Sequence, residues 1–129
     1  MIGKYIYSTL RANTDITDIV ADRIFPLKGD ASETLPAIVY ILESEENMSP
    51  PGMATMSEFT VRISLYGNDY IELDDLADYV GTSLDESPVS PTGHVIEAAY
   101  LMDSDDGFDH EINAYSRDLV FRILTHKTA

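Results

Sequence analysis

At 129 residues the chain can bury a real core but is short for two, so one domain over residues 1–129 is expected. Acidic residues outnumber basic ones 23 to 8, a formal net charge of −15, while 44% of the chain is hydrophobic. That composition excludes a disordered acidic tail, leaves too few Lys and Arg to grip nucleic-acid phosphates, and, with no cysteine, excludes disulfides and thiolate metal sites.

Ile2, Tyr5, Ile6 and Leu10 recur at helical spacing and predict a first helix ending near Asn13, read as a left-handed cap. Thr14 reads as the N-cap of a short second helix with Ile16, Ile19 and Val20 on one face. Asp22-Arg23-Ile24-Phe25-Pro26-Leu27 then predicts a short strand, and Leu35-Pro36-Ala37-Ile38-Val39-Tyr40 opens a long one running to Glu43. Pro26 and Pro36 cannot donate to a sheet ladder, so each belongs at a strand edge or start. The run behind Pro36 is apolar on both alternating faces, which predicts a central strand covered on both sides.

From Ser44 to Ser57 every period breaks, predicting a long loop. Phe59, Val61, Ile63 and Leu65 then alternate with polar residues, a strand with one buried face that should pair antiparallel with the strand before the loop. Gly67-Asn68-Asp69 turns into the strongest helix, where Asp69 and Glu72 form a capping-box-like pair and Leu73, Leu76, Ala77, Val80 and Leu84 make the buried stripe. Pro88 and Pro91 stop it. A strand over Val95–Met102, an acidic turn from Asp103 to Glu111 and a final strand over Tyr115–Leu124 complete the chain. The expected fold is α+β: an antiparallel-rich sheet of about four to five strands with two to three helices on one face.

Little here suggests chemistry. The acidic turn would need its glycine at the sixth place to resemble a calcium loop, and counted from Asp103 Gly107 is fifth. His94, His110 and His126 are too dispersed for a metal motif, no serine sits in a nucleophile elbow, and Gly67 is a lone glycine among acids. Asp74 and Asp75 read as solvated helix charge rather than an acid–base couple. No catalytic, cofactor or metal residue is therefore expected, and the chain is not expected to be an enzyme. No signal-peptide pattern or long apolar run stands out, so assembly in the cytoplasm is expected. The loop is the better candidate: Met48, Pro50, Pro51, Met53 and Met56 suit an adaptable protein–protein contact.

The D-R-I-F-P element followed by L-P-A-I-V-Y, then the Phe59–Tyr66 strand, the Asp69–Asp85 helix and the Tyr115–Ile123 strand, resembles the tail-completion (tail-terminator) proteins of long-tailed bacteriophages over nearly the whole chain. The resemblance implies a structural virion protein of the neck, forming a hexameric ring at the head-proximal end of the tail tube. Such a ring ends tube polymerisation and joins tail to head, in a siphophage or prophage particle. Its partners would be other copies of itself, the tail tube protein and a head–tail connector or stopper, with DNA passing through the channel without specific binding. Acidic clusters at Glu43, Glu45 and Glu46 and at Asp103, Asp105, Asp106 and Asp109 are candidates for the channel wall or the outer rim. Two other readings stay open: an adaptor or stopper elsewhere in the neck, and an acidic inhibitor that mimics DNA.

Overall fold

The computed structural model describes residues 2–26, 35–47, 56–85, 94–111 and 113–127. Three helices, α1 (Ile2–Arg11), α2 (Thr14–Val20) and α3 (Tyr70–Asp85), accompany five strands. The strands are β1 (Ile24–Pro26), β2 (Ala37–Asn47), β3 (Met56–Gly67), β4 (His94–Asp109) and β5 (Ala114–Lys127). They form one sheet in the order β1-β2-β3-β5-β4, antiparallel throughout except that β1 runs parallel to β2. The predicted element order and the α+β class hold.

The sheet's inner face is built from the alternating residues of β3 and β5. Phe59, Val61, Ile63 and Leu65 stand opposite Ile123, Phe121, Leu119 and Arg117, and all but the arginine are buried. The α3 stripe of Leu73, Leu76, Val80 and Leu84 closes over them, joined by Tyr5, Ile6, Leu10, Ile16 and Val20 from the first two helices. Each such burial contributes about 1.5–3 kcal/mol, so this layer outweighs any surface pair. Ala37 and Val39 face the other way with Phe25, Leu35, Ile41 and Tyr66, a small second cluster on the helix-free face. β2 is thus covered on both sides at its start, as its continuous apolar run requires.

The D-R-I-F-P element owes its place to its arginine. Arg23 Nε donates to the carbonyl of Pro36 at 2.8 Å and Nη2 to the carbonyl of Ile19 at 3.3 Å, while the carbonyl of Arg23 accepts from the Ile38 amide. One side chain therefore ties the end of α2, β1 and the entry to β2 together. It is framework, with no reactive group aimed at solvent.

The expectations need correction at three places. Asn13 is not a left-handed cap: its φ is −90°, and its side-chain oxygen accepts from the Asp15 amide, which makes it the N-cap of α2 in place of Thr14. The loop expected over Ser44–Ser57 is ladder at both ends, since Ser44, Glu45, Glu46 and Asn47 pair with Thr60, Phe59, Glu58 and Ser57. Hairpin pairing with β3 overrides the low strand propensity of these polar residues. The acidic turn is also strand: Asp103, Asp105, Asp106 and Asp109 all lie in β4, and the turn begins at His110. Their partners across the hairpin, Val120 to Ala114, supply the pairing that the acids alone do not favour. At the start of α3, Asp69 Oδ1 accepts from the amides of Ile71 and Glu72, the Asp69 half of the predicted pair.

Thr125 is fully buried, and among the described residues its hydroxyl has no hydrogen-bond partner. Thr125→Val removes a desolvated, unsatisfied group of nearly the same shape and should raise unfolding stability by about 1 kcal/mol. Urea denaturation reads this directly; a loss of stability would show that the hydroxyl contributes a bond.

Candidate interaction surface

The β4–β5 hairpin sets Asp106 opposite Arg117 and Phe108 opposite Tyr115, all on the side of the sheet that carries α3. Arg117 Nε donates to Asp106 at 2.5 Å and Nη1 to Asp74 of α3 at 2.6 Å, with only 11% of the arginine side chain exposed. The Tyr70 hydroxyl, at the start of α3, donates to the second oxygen of Asp106 at 2.6 Å. The fork of Arg117 thus binds the helix to the hairpin with two carboxylates in place, the geometry at which charge-assisted bonds are strongest.

Aromatic rings frame this lock. Tyr115 meets Tyr70 edge-on at 5.6 Å and Phe108 at 5.4 Å, and Phe108 meets His110 at 5.0 Å. Tyr70, Phe108, Tyr115 and the neighbouring Ile71 are all exposed, Ile71 by 69%. Tyrosine, phenylalanine and arginine clustered on a rigid platform are the residue types that dominate protein–protein contacts.

The lock shifts the acidities of its members. Hydrogen bonds first from Arg117 and then from Tyr70 hold the Asp106 carboxyl below its usual range, against a small opposing effect of desolvation. Tyr70 is pushed up because its hydroxyl donates to Asp106 and sits in that carboxylate's field. Arg117 is held still more firmly protonated, chiefly by Asp106.

Beyond its small apolar cluster the helix-free face carries ion pairs. Arg62 of β3 pairs with Glu43 at 2.6 Å and reaches Asp118 at 3.8 Å, and Arg122 of β5 pairs with Glu58 at 2.5 Å. These partly exposed pairs contribute little to stability. Their consequence is electrostatic: the sheet's arginines are engaged, and acids remain in excess at both edges. At one edge Glu43, Glu45 and Glu46 lie on β2 beyond its pairing with β1, which among the described residues takes in Ile38, Val39 and Tyr40. At the other, Asp103 and Asp105 are exposed on β4.

The structure therefore divides the expected acidic set. Asp106 belongs to the lock, Asp109 caps the hairpin turn by accepting from the Glu111 amide, and the remaining five flank the sheet. Of the expected loop contacts, Met56 is exposed at the start of β3; Met48, Pro50, Pro51 and Met53 lie outside the described residues. Among the described residues no three His, Cys, Asp or Glu side chains come together as a metal site, and no helix is long and apolar enough to cross a membrane. Sequence reading passed over the Arg117 cluster. Its signal lay in the hairpin symmetry: Asp106 and Arg117, and Phe108 and Tyr115, stand equidistant from the turn.

The architecture is an antiparallel-rich α+β sheet, covered on one face by three helices and extended at one end by a long hairpin. No family model and no curated protein matches the chain. Solved structures do share its fold. A chain in the virion of a native gene transfer agent particle superposes with a TM-score of 0.75 at 14% identity, over 94% of this chain and 91% of that one. The gp17 protein of bacteriophage SPP1 superposes with a TM-score of 0.60 at 14% identity, over 94% of this chain and 86% of that one.

Proposed function

We propose that this chain is a structural subunit of a phage-type particle, a tail-completion protein that forms a ring at the head-proximal end of the tail tube. The observation that carries this reading is the whole-length agreement in fold with proteins from two such particles. It converges with the motif resemblance, which rests on different information. The ring is hexameric in the reading that the resemblance implies, ends tube polymerisation and offers a seat for the connector or stopper of the head. It has no catalytic step.

The acidic surface fits this role. DNA sliding through a channel meets no counterion-releasing cation where the wall is negative, so it passes without adhering. Subunits of a ring contact one another through two different faces. The β2–β3 end, with Met56 at its margin and residues 48–55 beyond it, is the contact we assign to the neighbouring subunit. Light scattering tests the assembly. The protein alone, or mixed with tail tube protein, should give a mass of several subunits, and replacing residues 48–55 with a short Asn-Gly turn should abolish that mass with the fold intact. A monomer under both conditions contradicts the ring.

A further inference from the structure

β4 is the outer strand of the sheet, and among the described residues no strand pairs with its far side. Two register shifts interrupt it, between Ile96 and Ala98 and between Leu101 and Asp103. Such bulges blunt an edge against extended pairing. Between them, Ala98, Ala99, Tyr100 and Leu101 keep regular register with Leu124, Ile123, Arg122 and Phe121. This regular window opens onto a groove of about 360 Å³ between β4 and α3.

The floor and walls of the groove are small or apolar: Ala77, Gly81 and Thr82 of α3, Ala99 and Leu101 of β4, and Phe121 of β5. Tyr100, whose side chain belongs to the opposite face, also borders it, so the groove reaches the backbone edge of the strand. The groove is open beside Gly81, where a Cβ would meet nothing within 4 Å. A glycine inside a helix costs roughly 0.5–1 kcal/mol relative to alanine, and here it borders open space.

The charges around the groove select what can enter. Asp78 borders it on the helix side, and Asp103 and Asp105 follow on the helix-free side, opposite Val120 and Asp118. No ion pair reaches any of the three among the described residues. A second copy of the chain would bring either the same aspartates or Glu43, Glu45 and Glu46 of β2 against this edge, and like charges across a strand pair repel.

We propose that the Ala98–Leu101 edge takes up, as an added strand, an extended segment of a partner protein that alternates apolar and Lys or Arg residues. The period of two in a strand turns the apolar residues towards α3, one of them filling the groove beside Gly81. The alternate cations face Tyr100, Asp103 and Asp105. On the ring reading, this puts Asp103 and Asp105 at the rim, against a neighbouring virion protein, and leaves Glu43, Glu45 and Glu46 as the channel candidates. The docking itself does not require a ring.

The test uses the full chain and a seven-residue peptide, Lys-Val-Lys-Leu-Lys-Val-Lys, with a counterpart carrying Glu for Lys. The Lys peptide should bind, slowing amide exchange at Ala98–Leu101, while the Glu peptide should not. Gly81→Met fills the groove without harming the helix and should weaken binding by about tenfold or more, whereas Gly81→Ala should stay within about threefold. Four results overturn the proposal: no binding; equal binding of both peptides; binding that leaves Ala98–Leu101 exchange unchanged; or binding indifferent to Gly81→Met. Self-association of the unaltered chain that Gly81→Met abolishes would place a second copy in the groove and overturn the partner assignment. None of these readouts depends on ring formation, so a monomer in light scattering and a failure here are separate outcomes.

Discussion

Truncating Phe59 to Ala is expected to lower the free energy of unfolding by about 3–5 kcal/mol, a large share of what a domain of this size holds. Phe59 is 2% exposed, lies on β3 between β2 and β5, and stands opposite Ile123 in a layer that α3 closes. The ring cannot be replaced by collapse of its neighbours, because β3 is fixed from both sides by ladder hydrogen bonds. The cost therefore includes a residual cavity as well as the lost transfer energy. Urea denaturation should show the midpoint falling with little change in slope; a loss below about 1 kcal/mol would mean that this layer is not the core.

Arg117→Met should cost about 1–2 kcal/mol. The methionine keeps an apolar stem but removes the guanidinium that lies over the Tyr70 ring and forks to Asp106 and Asp74. Both carboxylates are about half exposed, at 47% and 53%, so water partly replaces the lost bonds and the effect stays below that of a buried pair. The pH dependence follows from the two acidities. Asp106 is depressed in the folded state, so its contribution is complete above the ordinary carboxylate range of about pH 4 and is lost as pH falls through the lower folded value. Tyr70 is raised, so its contribution is present below about pH 10 and is lost as pH rises through its folded value. In Arg117→Met the acid limb of the stability curve should flatten, because the principal cause of the Asp106 shift is gone. Acid titrations followed by circular dichroism would check this, and an unchanged acid limb would remove Arg117 from the account.

Much of the sheet was legible because its strands obey the simplest rules. Phe59, Val61, Ile63 and Leu65 alternate, the α3 stripe repeats at helical spacing, and Pro26 and Pro36 mark strand boundaries that the structure keeps. What failed was polar strand. Ser44–Asn47 and Asp103–Asp109 carry no apolar period, and their extended conformation comes from partners across the hairpins, which a linear reading cannot weigh. The parallel entry of β1 beside β2 was equally silent, since it depends on Arg23 reaching the Pro36 carbonyl 13 residues away. The interaction surfaces suffered from the same blindness. The Arg117 lock unites α3, β4 and β5, and the groove beside Gly81 exists only once α3 lies along β4.

The functional reading makes Asp22–Pro26 and Leu35–Tyr40 structural and gives the assembly roles to the hairpin platform, the edges and the β2–β3 end. Its central claim is that the ring stops the growing tube. Electron microscopy of particles made without this protein measures that most directly. The account predicts tails longer than normal and variable in length, with no heads attached. Tails of normal length that merely fail to join heads would contradict termination and place the protein elsewhere in the neck.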